Sequence, residues 1–140
     1  MDSILTELHK SNQSCTTANN QLELRGKQRP PGLSRDQVID GSVKNFRTLE
    51  TQVATVLPSA WVYFGAQMGY EGRRHIEETS KSKDGLHAAI TAFEAGRNEP
   101  GTNAEGLLAK IRAAATTLAK SITSLRDLCL ARGVASQTGW

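Results

Sequence analysis

Residues 102–133 read TNAEGLLAKIRAAATTLAKSITSLRDLCLARG, and their periodicity decides the fold. Leu108, Ile111, Ala115, Leu118, Ile122, Leu125 and Cys129 recur at intervals of three and four, which lines them along one stripe of an α-helix. Thr102 and Glu105 stand in the T-x-x-E order of a capping box, and Gly133 offers a stop. A helix of about 30 residues reaches about 45 Å, longer than one small core covers on all sides. The pattern predicts a rod in a helical bundle, with surface left over for other subunits.

Toward the N-terminus, Gly96 ends a shorter helix that Asp84 caps and that presents Leu86, Ile90 and Phe93 on one face. Residues 73–83 are strongly polar and fit either an exposed helix face or a mobile loop. Trp61-Val62-Tyr63-Phe64, between Pro58 and Gly65, reads as a short strand or a buried turn with its rings in the core. Gly65, Gly69 and Gly72 make the following segment flexible. Ser34 and Gln37 form another capping box. It opens a helix with Ile39, Val43, Phe46, Leu49, Val53 and Val56 on its apolar face, which Pro58 stops.

The run Gly26 to Gly32, with Pro30 and Pro31, is a breaker. Leu22 and Leu24 give a weak extended signal, and residues 11–20 read as a loop or arm. Ile4, Leu5 and Leu8 give residues 2–10 one or two helical turns. The expectation is all-α: an up-and-down bundle of three to four helices, over 34–57, 84–96 and a long C-terminal 103–132. The whole of 1–140 is one helical domain, with 1–33 as an N-terminal helix and flexible arm.

A chain of 140 residues with 38% hydrophobic content and a net charge of +3 has a modest core and a mildly basic surface, which permits a polyanionic partner without requiring one. Nowhere does it hold the roughly 20 consecutive apolar residues of a membrane span. Met1 to Lys10 lacks the apolar run of a secretory signal. Cys15 and Cys129 have no metal spacing, and Cys129 lies on an apolar stripe, so both are expected as free thiols in a reducing compartment.

His9, His75 and His87 are not arranged with carboxylates as metal ligands, the i, i+3 pair of His75 and Glu78 being too little. No nucleophile elbow, phosphate-binding glycine loop or zinc-protease motif occurs. The expectation is a non-enzyme with neither metal nor cofactor. What remains is basic. Arg97 follows one helix, Lys110 and Arg112 fall in the first turns of the next, and a short connection brings these together. Guanidinium and ammonium groups so gathered bind phosphates without reading bases. An ordinary solvated, salt-bridged face is the competing reading.

The last 50 residues resemble the coat proteins of rigid rod-shaped RNA viruses, the tobamovirus and tobravirus kind. The segments that carry the likeness are Ala92-Phe93-Glu94, then Arg97-Asn98, the Pro100 and Thr102 connection, Lys110 and Arg112, and the run Ala115 to Leu125. Ala113 and Ala114 stand where the family has aspartates. The resemblance implies a structural subunit packaging single-stranded RNA in a helical homo-oligomer, found in the virion and the host cytoplasm. It implies phosphate contacts from Arg97 and Arg112, with Lys110 and Arg74 as weaker candidates and Asn98, Thr102 and Asn103 as hydrogen-bond donors. The alternative is a non-enzymatic helical interaction module, an adaptor, chaperone or effector, that docks partners along the long helix.

Overall fold

A computed structural model describes residues 4–13, 35–97, 99, 101 and 104–134, with 35–38, 104 and 105 described by backbone alone. The described residues form four helices and no strand: α1 over 4–13, α2 Arg35–Met68, α3 Tyr70–Gly96 and α4 Ala104–Arg132. The fold is an all-α bundle. The arm predicted before residue 34, both capping boxes and the C-terminal Trp140 fall wholly or partly outside the described residues.

All seven stripe residues of α4 are buried. Its end is a Schellman motif. Gly133 adopts φ 65°, its N–H bonds to the Leu130 carbonyl, and the Val134 N–H bonds to that of Cys129 at 2.8 Å. Val134 then rests on the core.

Two expectations fail between residues 58 and 64. Pro58 does not stop α2, which continues for ten more residues to Met68 with Pro58 inside it. The reason is a stripe that never breaks: Ile39, Val43, Phe46, Leu49, Val53, Leu57, Ala60, Phe64 and Met68 are all buried at intervals of three and four. Burying Ala60, Phe64 and Met68 outweighs the one helical hydrogen bond that a proline removes. The aromatic run is therefore helical, neither strand nor turn. Four consecutive side chains on a helix point in four directions: Phe64 enters the core while Trp61 and Val62 stay exposed.

The polar stretch 73–83 is also helical, as the middle of α3. Its inward face includes polar or small residues, Gly72 and Thr79, beside Ile76. Thr79 satisfies its hydroxyl by donating to the His75 carbonyl at 2.9 Å.

Gly69 alone joins α2 to α3. Its φ of 61° and ψ of −134° lie where a side chain is strained. Gly72 sits so close to α2 that a Cβ on it would lie 3.2 Å from the Met68 Cβ and press into the Phe64 carbonyl.

Cross-bundle pairs give the register. Asp40 meets Arg97, Glu50 meets His87 and Gly65 lies by Arg73. As one number rises the other falls by nearly the same amount, so α2 and α3 are antiparallel. Ser82 bonds to Ser121 at 2.9 Å and Arg132 pairs with Glu71, which makes α3 and α4 antiparallel too. α3 packs against both neighbours. Asn12 of α1 donates to the Thr116 hydroxyl at 2.9 Å and so seats α1 on α4.

Candidate nucleic-acid interface

The antiparallel register puts the end of α3 and the start of α4 at one end of the bundle, here called the basic end after Arg97, Lys110 and Arg112, although Asp40, Glu94 and Glu99 lie there too. The Gly69 turn and the end of α4 lie at the other. Arg97, Lys110 and Arg112 all belong to the basic end, as their spacing predicts. They do not converge there.

Arg97 is held. Its Nη1 donates to the Asp40 carboxylate, and its guanidinium stacks 5.2 Å from the centre of the Phe93 ring. Lys110 and Arg112 are two residues apart, hence about 200° apart around α4. Lys110 is exposed. Arg112 is half-buried, and its Nε is buried without a hydrogen-bond partner among the described residues.

Arg74 stands near the Gly69 turn, paired with Glu78 at 3.5 Å. The rise of α3 between residues 74 and 97 separates it from Arg97 by roughly 35 Å, so it belongs to no common cluster with the others. Asn98, Thr102 and Asn103 lie outside the described residues.

Beside Arg97 the α2–α3 groove holds a charge network that the sequence reading misses. Arg47 donates to Glu94 at 2.8 Å and to Glu50 at 3.2 Å, and Glu50 lies 2.6 Å from His87 Nδ1. The hydrogen bond that Arg47 donates to Glu94, with a smaller share from the one to Glu50, holds the pKa of its guanidinium above the ordinary value against the opposing effect of burial. Only the i, i+3 spacing of Arg47 and Glu50 is visible in sequence; the partners from α3 require the register. With Asp40, Glu50 and Glu94 lining this groove, its face is balanced rather than cationic.

The bundle's other half carries the apolar exposure. Val62 is 70% exposed, Tyr70 80% and Leu130 74%, with Trp61 partly so. By register all four lie toward the Gly69 turn. Arg73 covers Trp61 with its guanidinium 5.7 Å from the ring centre. Val62 and Tyr63 line an open cleft of about 620 Å³ with Pro58, Ser59 and Ala66. Among the described residues no group of three or more His, Cys, Asp or Glu side chains is placed to hold a metal, and no helix is long and apolar enough to cross a membrane. Cys129 is a free, buried thiol whose pKa burial pushes up.

No family model, curated protein or solved structure matches the chain.

Proposed function

We propose that this chain is a structural coat subunit that assembles side by side around single-stranded RNA, as its likeness to the rod-shaped virus coat proteins implies. The observation that carries the reading is the division of the bundle by ends. Large apolar side chains are exposed toward the Gly69 turn, and Lys110 and Arg112, which have no acidic partner among the described residues, stand at the opposite end. Contiguous exposed apolar surface marks a partner site, and Val62 and Tyr63 supply such surface along one open cleft of α2; cations kept apart from it suit a polyanion. In this reading Lys110 and Arg112 take phosphates directly, and Arg97 does so by exchanging Asp40 for phosphate. Arg74 would sit on the subunit-contact side instead. The assembled form belongs in the virion and in the host cytoplasm.

The test is negative-stain microscopy and sedimentation of purified protein with and without RNA. Rods or stacked discs growing with concentration are expected. A strict monomer from micromolar to millimolar concentration, with RNA present, sinks the coat reading.

One feature favours a helical interaction module as second reading, with its docking face on α2 rather than along the long helix α4: the open cleft at Val62 and Tyr63. A monomer that loses a partner on Val62→Glu, without loss of stability, would put that reading first.

A further inference from the structure

Away from both ends the bundle has a second cleft, largely apolar in surface but with polar side chains along its walls. Between α1 and α4 lies an open cleft of about 460 Å³, with His9 and Asn12 on one wall and Thr116, Lys120, Thr123 and Ser124 on the other. Among the described residues no carboxylate lines it. Many of the chain's basic groups have an acidic partner: Arg74, Arg97 and Arg132 each pair with one carboxylate and Arg47 with two. Lys120 and His9 have none among the described residues.

The hydroxyls of α4 differ, and one that lines the cleft, Thr116, is already engaged. Thr116, Thr117 and Ser121 each donate to the carbonyl one turn back. Thr123 and Ser124, which line the cleft, make no such bond among the described residues. Asn12 closes one end of the cleft through its hydrogen bond to Thr116. Ala119, between the polar residues, gives the wall an apolar strip.

We propose that the α1–α4 cleft binds a phosphate group, with Lys120 as the counter-charge and His9, Thr123 and Ser124 as donors. An ammonium, an imidazole N–H and two hydroxyls present donors without any fixed negative charge, which suits a tetrahedral oxyanion and repels no part of it. The cleft's volume exceeds that of a bare phosphate and reaches the range of small-molecule sites. The organic part of a mononucleotide-sized phosphate monoester would lie on Ala119 and the threonine methyl groups. The site stands apart from the basic end and does not depend on the RNA-packaging reading.

The experiment is titration of the full chain with inorganic phosphate and with adenosine monophosphate, at ionic strength held constant with chloride, followed by backbone amide shifts and calorimetry. Saturable binding with shifts confined to α1 and the middle of α4 is expected. Lys120→Gln should weaken it about tenfold, the loss of one charge-assisted hydrogen bond. Thr123→Val, nearly isosteric, should weaken it by a smaller factor. Arg126→Gln removes the same charge from the same helix outside the cleft and should leave it unchanged.

Tighter binding of the monophosphate than of inorganic phosphate identifies a small-molecule site. Displacement of the monophosphate by single-stranded RNA identifies the nucleic-acid backbone as the source of the phosphate. Absence of saturable binding, or equal loss in Lys120→Gln and Arg126→Gln, overturns the proposal. Thermal melts of Lys120→Gln should match wild type, because the side chain is exposed.

Discussion

A single added methyl group meets opposite surroundings at two glycines. At Gly41 a Cβ would touch nothing, so Gly41→Ala removes only backbone freedom and should stabilise the chain by about 1 kcal/mol. At Gly72 the same atom presses into the Phe64 carbonyl and the Met68 side chain, so Gly72→Ala should cost about 1–3 kcal/mol. Urea titrations decide both; equal midpoints for the two variants would mean that α2 and α3 do not approach as closely as described. Cys129 offers a test by pH. Burial raises its pKa, so the folded chain holds the thiol proton at pH values where the unfolded chain releases it. The resulting stability is complete below the unfolded value and falls as pH rises through it, above about 8.5. Cys129→Ala should flatten that alkaline limb relative to wild type, and an unchanged slope would place the thiol in solvent. The candidate site is legible at this scale only by residue type. Arg97, Lys110 and Arg112 were named from their positions in sequence, but the Asp40 partner of Arg97 comes from another helix. The opposed directions of Lys110 and Arg112 follow from the 100° step per residue, which a reading by helix ends ignores.

At the scale of the element, the periodic stripes were the readable part. The stripes from Leu108 to Cys129 and from Ile39 to Val53, with Leu86, Ile90 and Phe93, are buried as their spacing predicts. The middle of α3 is legible only as a choice between helix and loop, because its inward face carries Gly72, Thr79 and the Ser82 that bonds to Ser121; residues of this kind give no apolar period. The second half of α2 was hidden by Pro58, although Leu57, Ala60, Phe64 and Met68 prolong the stripe beyond it. Proline is a local signal, and the stripe a cumulative one. Pro58 is exposed, so Pro58→Ala restores a helical N–H without disturbing the core and should stabilise the chain by about 2 kcal/mol. Ile122→Ala opens a cavity in the centre of the bundle and should cost about 2–5 kcal/mol. Thermal melts showing destabilisation by Pro58→Ala, or none by Ile122→Ala, would contradict the continuous α2 or the buried face of α4.

For the whole molecule, the two ends are separable by mutation. Each phosphate neutralised on a single strand contributes about 0.7 to the slope of log affinity against log salt. The double change Arg97→Ala and Arg112→Ala should lower RNA affinity with little sequence preference and flatten that slope. Arg126→Ala, far along α4, should matter less, and Val62→Glu should impair assembly while leaving the slope intact. A wild-type affinity insensitive to salt, or an Arg126→Ala loss equal to that of the double variant, would move the phosphate contacts elsewhere. The one-residue joint at Gly69 has a kinetic consequence. Pairs next to it close loops of only a few residues, at little entropic cost, while Asp40 and Arg97 close the longest loop of the hairpin. Folding should start at the joint and zip toward the basic end. In stopped-flow measurements Gly72→Ala should chiefly slow folding, whereas Ile39→Ala, at the far end, should chiefly hasten unfolding.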